Sequence, residues 1–203
     1  MHAPRVGGAL LLMSAQELAL AQVAQLLARL AIPYMVIGGQ ANIIWGEPRA
    51  TLDIDVTVWV AEDALAGVVD EVQLTLTSCV SDPLAFVRDT RVLPLATADG
   101  VRVDMIFALL PFEQNAIARS VTREIAGTAV HYCTAEDLIL HKIFSQRPRD
   151  LGDAHGVVLR QFAVLDRGYL DPRIDELARE LDDPAIRARW DMWLREAAAR
   201  DRH

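Results

Sequence analysis

Two aspartates, Asp53 and Asp55, stand two positions apart in an otherwise apolar segment and are the strongest candidates for chemistry in the sequence. The segment from Leu52 to Val60 alternates in polarity, which predicts a strand with both carboxylates on one side. Neighbouring carboxylates disfavour joint ionisation unless a cation lies between them, and Mg²⁺ takes such oxygen ligands together with waters and substrate phosphates. The spacing therefore favours a magnesium site, although a solvated strand edge produces the same alternation. The opposite, apolar face is predicted to comprise Leu52, Ile54, Val56 and Val58.

A third aspartate, Asp104, lies within a second apolar segment, Val101 to Phe107, which also predicts a strand. A carboxylate on a strand next to that of Asp53 and Asp55 would complete a site for two divalent ions. In such a site one ion holds a triphosphate while the other activates an attacking hydroxyl.

A diglycine, Gly38-Gly39, precedes the aspartate pair with thirteen intervening residues. It lies between a predicted strand, Tyr34 to Ile37, and a predicted helix, Ala41 to Trp45. Because glycine has no side chain, backbone N–H groups there can approach a phosphate, helped by the helix N-terminus. A diglycine alone is more often an ordinary turn. In this order, with three aspartates on two predicted strands, it indicates nucleotide binding.

The segment from Tyr34 to Val56 resembles the core motif of the polymerase-beta-type nucleotidyltransferase superfamily, in which a Gly-Gly or Gly-Ser turn and a helix precede Asp-x-Asp or Asp-x-Glu. A later segment, Glu136 to Asp153, is similar to the Glu-Asp-Leu…Lys…Arg…Asp…Asp pattern of the AbiEii-type toxin branch. The resemblance spans roughly residues 34 to 155, and these segments are its specific parts. The part most similar to the AbiEii-type branch reads Arg49-x-Thr51-x-Asp53-x-Asp55.

The resemblance implies an α+β fold in which a nucleotidyltransferase-like mixed β-sheet, flanked by helices, is followed by a C-terminal helical bundle. It implies transfer of a nucleoside monophosphate from an NTP to a hydroxyl acceptor, with loss of pyrophosphate and with two Mg²⁺ ions. The acceptor could be tRNA, a protein or a small molecule. A toxin of a toxin–antitoxin system is the leading biological role, and it would add an antitoxin partner.

The resemblance also assigns roles to individual residues. The three aspartates are implied as metal ligands, and Asp104 would help to deprotonate the acceptor. Lys142 would neutralise charge on the phosphates during transfer. The implied catalytic set is Asp53, Asp55, Asp104 and Lys142, and the implied nucleotide-binding set is Gly38, Gly39, Arg49, Thr51 and Lys142.

For both basic residues of these sets, Lys142 and Arg49, a purely structural role is the alternative to nucleotide binding. Lys142 is the only lysine of the chain, and in an apolar helix it could equally be a surface residue whose stem covers apolar neighbours. Arg49 is expected to contact the triphosphate or to pair with Asp53 or Asp55. An ordinary turn arginine is the alternative for this position.

Two further features of the C-terminal part have structural interpretations. Asp150 and Asp153 lie one helical turn apart and are expected to pair with Arg147 or Arg149, with support of catalysis as the alternative. A stripe at helical spacing is expected to pack in the core, with a dimer or antitoxin contact as the alternative. The stripe comprises Trp190, Trp193, Leu194 and Ala197.

One departure from the superfamily pattern concerns Gly39. Many active members carry Ser after the first Gly, and its hydroxyl helps to hold a phosphate. Backbone amides could suffice here, but the change leaves catalytic competence open. The alternatives are therefore a catalytically inactive nucleotide-binding or partner-binding module of the same fold, and a structural protein whose acids face solvent.

Composition limits the class of protein. Hydrophobic residues make up 52% of the 203 residues, which suffices for a sizeable core. The net charge of -8 argues against a protein that binds nucleic acid over its whole surface, because phosphate contacts need Lys and Arg. Two distant cysteines fit a reduced cytoplasmic location, and no apolar run is long enough to cross a membrane. Arg5 and the apolar stretch after it match a signal peptide only weakly.

The predicted elements alternate between strands and helices up to about residue 133 and are helical afterwards. A boundary there would divide the chain into a catalytic domain with an N-terminal helix, 1–133, and a helical region, 134–203. The first helix is predicted to begin at Ser14, which forms a capping box with Glu17. Further strands are predicted over 91–96 and 128–132, and further helices over 62–72, 113–120, 135–146, 149–165, 173–181 and 185–200.

Overall fold

The computed structural model describes residues 13–201, and the N-terminal stretch weighed as a signal peptide lies outside them. The described residues form nine α-helices, one short 3₁₀ helix and seven strands. The strands are β1 (Tyr34–Val36), β2 (Asp53–Val58), β3 (Thr77–Ser78), β4 (Val92–Ala96), β5 (Arg102–Phe107), β6 (Val121–Ile125) and β7 (Thr128–Tyr132). The α-helices are α1 (Ala15–Arg29), α2 (Gly38–Trp45), α3 (Leu65–Gln73), α4 (Pro83–Thr90), α5 (Pro111–Ala118), α6 (Ala135–Lys142), α7 (Pro148–Gln161), α8 (Arg167–Glu180) and α9 (Pro184–Arg200), and the 3₁₀ helix is Glu62–Ala64.

All seven strands join one mixed sheet in the order β3-β4-β5-β2-β1-β7-β6. The central pair, β2 and β5, is parallel, and β1 is antiparallel to β2 and parallel to β7. Helices surround this sheet and continue after it, so the predicted α+β class with a mixed, nucleotidyltransferase-like sheet is confirmed. The parallel pair decides how the candidate carboxylates meet, because it brings Asp55 directly opposite Asp104.

The apolar face of β2 is buried as predicted, except at its first expected residue. Ile54, Val56 and Val58 are completely buried. Leu52 is 80% exposed, so its assignment to this face was wrong. The reason is that pairing with β5 begins only at Asp53, opposite Arg102. Leu52 therefore precedes the strand and has no neighbouring strand to cover it.

The start of α1 is confirmed in detail, whereas α2 begins earlier than predicted. Ser14 accepts a hydrogen bond from the Glu17 backbone, and the Glu17 carboxylate accepts one from the Ser14 backbone at 2.7 Å. Helix α2 begins at Gly38, three residues before the predicted start. The diglycine therefore forms the first turn of the helix instead of a separate turn before it.

Three elements were not predicted, namely β3, α4 and β6. Strand β6 pairs with β7 at the edge of the sheet, and three of its five residues are exposed. Such an edge strand lacks the polar–apolar alternation that marks a half-buried strand. Helix α4 did have start signals, since Asp82 caps it and Pro83 is its first residue. Helix α8 was expected to begin after Pro172 but includes that proline in its interior.

The four C-terminal helices pack on one another and against the sheet region. Helix α7 contacts α2, α6 and α9. The predicted core stripe of α9 is confirmed, because Trp190 is fully buried and donates its indole N–H to Asp171 at 2.7 Å. Among residues 13–201, no helix combines the length and apolar character needed to cross a membrane.

Truncation of Ile54 is expected to destabilise the fold strongly. Ile54→Ala removes a completely buried side chain from the central strand and should lower the free energy of unfolding by about 2–5 kcal/mol. The matched control, Leu52→Ala, removes an exposed side chain two residues away and should change it by less than about 0.5 kcal/mol. Urea unfolding followed by circular dichroism measures both values, and equal losses would contradict the difference in burial between these two side chains.

Candidate active site

A pocket of about 320 Å³ lies where the N-terminal ends of β2 and β5 meet α2, α6 and the start of α7. Every residue assigned to the catalytic or nucleotide-binding set from the sequence contributes to its wall. The wall is composed of Ile37, Gly38, Gly39, Arg49, Thr51, Asp53, Asp55, Asp104, Ile106, Leu138, His141, Lys142, Arg147, Arg149 and Asp150.

The three predicted metal ligands share one face of the sheet. Asp53 and Asp55 are two residues apart on β2, and Asp104 is the cross-strand neighbour of Asp55 on β5. Burial raises the pKa of Asp55, and the neighbouring charges of Asp53 and Asp104 raise it further. Lys142 offsets part of this effect from the pocket wall. The result is a site of concentrated negative charge that a cation would relieve.

The donor set fits Mg²⁺ in the form that nucleotide enzymes use. Within the described part of the chain, no three His, Cys, Asp or Glu side chains form a ready-made metal cage. Mg²⁺ is usually held by only one or two carboxylates, with waters and substrate phosphates completing its octahedron. Asp53, Asp55 and Asp104 supply oxygen ligands of this kind, and the raised pKa of Asp55 is the electrostatic cost that metal binding would remove.

Gly38 is required at its position by the close approach of Asp55. The backbone of Gly38 has φ +63, and a Cβ there would lie 2.7 Å from the Asp55 carboxyl carbon and closer still to one carboxylate oxygen. The Gly39 backbone amide lowers the pKa of that carboxylate slightly, and the Ile37 amide donates to the Asp55 carbonyl at 2.9 Å. The N-terminus of α2 is therefore held directly against the central carboxylate.

Arg49 pairs with a carboxylate that the sequence did not indicate. Its guanidinium donates to both oxygens of Asp153, each at 2.8 Å, in a bidentate pair. The expectation that Arg49 pairs with Asp53 or Asp55 was wrong, because α7 brings Asp153 to it across 104 positions of sequence. This pair fastens the loop before β2 to the C-terminal helices.

Lys142 is buried between two aspartates instead of lying at the surface. It is 7% exposed, and its ammonium donates to Asp150 at 2.6 Å and to Asp153 at 2.9 Å. The expected pairing of Asp150 with Arg147 is present at 2.7 Å, whereas Asp153 contacts Lys142 and Arg49. Burial opposes ionisation of both aspartates, but hydrogen bonds from these partners prevail and lower both pKa values.

Several wall residues were missed by the sequence analysis. Arg147 and Arg149 flank Pro148 at the start of α7, and Arg149 forms no ion pair with any residue between 13 and 201. From the sequence, both arginines were considered only as partners of Asp150 and Asp153, and their position at the start of a predicted helix was the available signal. His141 lies beside Phe112, with ring centroids 5.7 Å apart, and burial lowers its pKa and favours the neutral imidazole. No sequence signal pointed to His141.

Comparison with known proteins identifies the family of the chain. Residues 11–191 match the family described as nucleotidyltransferase of unknown function, DUF6036. The chain belongs to this family. A search among curated proteins finds no match to the sequence.

Solved structures of the same fold include nucleotidyltransferase-like proteins. An antigenic nucleotidyltransferase-like protein from Paracoccidioides brasiliensis superposes with a TM-score of 0.51 at 20% identity, covering 85% of this chain and 92% of that one. The solution structure of antibiotic-resistance factor ANT(2'')-Ia gives 0.51 at 14% identity, covering 91% and 97%. A crystal structure of ANT(2'')-Ia in complex with adenylyl-2''-tobramycin gives 0.51 at 14% identity, covering 87% and 99%.

In this member of the DUF6036 family, the pocket combines two kinds of group. Three carboxylates lie on the sheet side, and the N-termini of α2 and α7 lie on the helix side with Arg149. A metal-bound polyphosphate needs both, because its cations require carboxylates and its oxygens require N–H donors and positive charge.

The charge of Asp55 is expected to destabilise the protein when no metal is present. Because folding raises the pKa of this acid, the folded state holds its proton more tightly than the unfolded chain. Stability is therefore lost as the pH rises through the unfolded-state pKa towards the folded-state pKa, and the loss is complete above both.

In EDTA at pH 7.5, Asp55→Asn should consequently raise the Tm relative to the unsubstituted protein. The difference should shrink as the pH falls through the raised folded-state pKa and should vanish below the ordinary aspartate value of 3.8. Thermal unfolding at a series of pH values measures this. Asp63→Asn, which changes the charge equally at an exposed position in the 3₁₀ helix, should leave the Tm nearly unaltered. A lower Tm for Asp55→Asn at neutral pH would contradict a destabilising charge at this position.

Removal of the Lys142 charge is expected to destabilise the fold severely. Lys142→Met leaves Asp150 and Asp153 buried without their shared cation, which should cost about 3–5 kcal/mol of unfolding free energy. Arg147→Met is the matched control, because Arg147 also pairs with Asp150 but its side chain is 83% exposed, so its loss should cost less than about 1 kcal/mol. Urea denaturation separates the two values, and a Lys142→Met cost no larger than the control would be inconsistent with a buried pair.

Proposed function

We propose that this protein is a Mg²⁺-dependent nucleotidyltransferase that moves a nucleoside monophosphate from an NTP to a hydroxyl acceptor. The observation that carries the proposal is the convergence of Asp53, Asp55 and Asp104 on one face of β2 and β5, against the N-terminus of α2. Membership of a nucleotidyltransferase family supports the same reaction class. A solvated strand edge would not raise the pKa of Asp55 by burial or require a glycine at position 38.

The proposed roles of the carboxylates follow from their positions. Asp53 and Asp55 would hold Mg²⁺, and Asp104 would be the third ligand. Bound Mg²⁺, as two ions, would neutralise the triphosphate and lower the pKa of the acceptor hydroxyl. The acceptor oxygen forms a bond to the α-phosphorus while the bond to the bridging oxygen breaks, and pyrophosphate leaves with that electron pair. Asp104 would receive the acceptor proton.

The proposed nucleotide-binding groups lie on the helix side of the pocket. The amides of the diglycine and the guanidinium of Arg149 can donate to phosphate oxygens. Lys142 and Arg49 would contribute positive charge from the wall, where Asp150 and Asp153 fix their positions. Lys142 is thus proposed as a phosphate contact that is held in place by two carboxylates.

The acceptor classes to test are a small molecule, a protein side chain and tRNA. ANT(2'')-Ia, which shares the fold, has been crystallised with adenylyl-2''-tobramycin, a small-molecule adduct. Residues 49–55 and 136–153 resemble AbiEii-type toxins. On this basis we propose that the protein is the toxin of a toxin–antitoxin system and that it has an antitoxin partner. A toxin role predicts growth arrest on expression that depends on Asp53.

The experiment that tests the reaction uses purified protein, Mg²⁺, each α-³²P-labelled NTP and a panel of the three acceptor classes. Label transfer with pyrophosphate release is expected, and Asp53→Asn should reduce it by at least about 100-fold, as loss of a group that stabilises transition-state charge does. Asp63→Asn serves as the charge-matched control and should transfer label normally.

Two outcomes would change the proposal. Undiminished transfer by Asp53→Asn would dismiss the metal site. Binding of Mg²⁺ and NTP without turnover across the whole panel would favour an inactive nucleotide-binding module. Such a module would be compatible with Gly39 at the position where many active members carry Ser.

A further inference from the structure

The space beside Gly39 is filled by Thr51. A Cβ on Gly39 would lie 2.8 Å from the Cβ of Thr51 and nearer still to its hydroxyl oxygen, which real Cβ atoms do not tolerate. Because the threonine Cβ is branched and close to the backbone, it cannot move aside as the end of a long side chain could. The side chain of residue 51 therefore occupies the place that a side chain of residue 39 would take.

The loop that carries Thr51 is held in this position by the C-terminal helices. The bidentate pair between Arg49 and Asp153 anchors the loop two residues before Thr51. A further nitrogen of Arg49 lies 3.5 Å from the place of a Gly39 Cβ, so the loop runs along the first turn of α2. Lys142 holds Asp153 in turn, at 2.9 Å. The position of the Thr51 hydroxyl is thus built into the fold by buried ion pairs.

The surroundings of this hydroxyl suit a phosphate donor. Thr51 is partly exposed in the pocket, and its hydroxyl donates to a carboxylate oxygen of Asp53 at 3.1 Å. Helix α2 has no side-chain cap at its N-terminus, since the residue before it is Ile37. A phosphate at this helix end would meet backbone amides on one side and the Thr51 hydroxyl on the other. The Thr51 hydroxyl now donates to the Asp53 carboxylate. A metal ion bound to that carboxylate would displace this hydrogen bond, and the hydroxyl could then donate to a phosphate oxygen.

We propose that the Thr51 hydroxyl binds a phosphate of the nucleotide and does so from the position that a residue-39 side chain would fill. This proposal rests on the proposed function, because it needs a nucleotide in the pocket. Gly39 and Thr51 are then a complementary pair. Because residue 39 has no side chain, the hydroxyl that binds the phosphate comes from residue 51. Gly39 is then no sign of lost activity.

The first test removes the hydroxyl and keeps the shape of the side chain. Thr51→Val should raise the KM for NTP by about 10- to 100-fold at saturating Mg²⁺, the range expected for loss of one hydrogen bond to a charged group. Thr51→Ser restores the hydroxyl and should recover most of this loss. Thr77→Val, a substitution of the same kind on edge strand β3, controls for the change of residue type. Circular dichroism verifies that each variant is folded.

The second test moves the hydroxyl to the other position. Gly39→Ser alone should impair NTP binding, because its Cβ would collide with Thr51. Thr51→Gly alone removes the hydroxyl and should also impair binding. The double variant Gly39→Ser/Thr51→Gly has space and a hydroxyl at residue 39, and it should bind NTP at least about tenfold more tightly than Thr51→Gly. Independent, additive losses in the double variant would overturn the proposal.

A positioning role for Thr51 gives a different result. If the hydroxyl only orients Asp53, Thr51→Val will raise the Mg²⁺ concentration needed for activity and leave the KM for NTP unchanged at saturating Mg²⁺. That outcome, or a KM equal to that of Thr77→Val, would reject phosphate binding by Thr51. Failure of the unsubstituted protein to bind any NTP would instead reject the proposed function itself, so the two failures are distinguishable.

Discussion

Repulsion among Asp53, Asp55 and Asp104 is the physical constraint on which the arrangement of the pocket depends. Parallel pairing of β2 with β5 forces Asp55 and Asp104 into adjacent positions, and the fold compensates for this locally and incompletely. The α2 terminus presents an amide to Asp55, and Lys142 acts on it from the wall, yet burial and the charges of Asp53 and Asp104 keep its pKa raised. A protein without a cationic ligand gains nothing from such a cluster. The residual imbalance is what the divalent ion proposed for this pocket would relieve.

In a second group of charged side chains, positive and negative charges balance one another, and this group connects parts of the fold. Arg49, Lys142 and Asp150 lie in the pocket wall and form nearly balanced ion pairs together with Asp153. These pairs connect the loop before β2 with α6 and α7. The pocket consequently takes its carboxylates from before residue 133 and most of its cations from after it. Separation of the two halves would dismantle the site, even though the elements on either side of that point differ in class.

The sequence was sufficient to predict those features of the structure that depend on a local pattern of residues. Alternation on two strands placed Asp53, Asp55 and Asp104 correctly on one face, and the capping box fixed the start of α1. It failed where long-range packing decides. The partner of Arg49 depends on how α7 docks, and the exposure of Leu52 depends on where pairing with β5 begins. The roles of individual site residues remain predictions.

The burial of the chain's single lysine has a practical consequence. Amine-directed reagents modify unprotonated, accessible ε-amino groups, whereas Lys142 is only 7% exposed in the pocket wall and is held by two carboxylates. Acylating dyes and succinimidyl cross-linkers should therefore react only very slowly with the single lysine of the chain while α6 and α7 stay docked. Slow acylation of Lys142 would then measure transient separation of these helices, which gives the protein an intrinsic reporter of local opening.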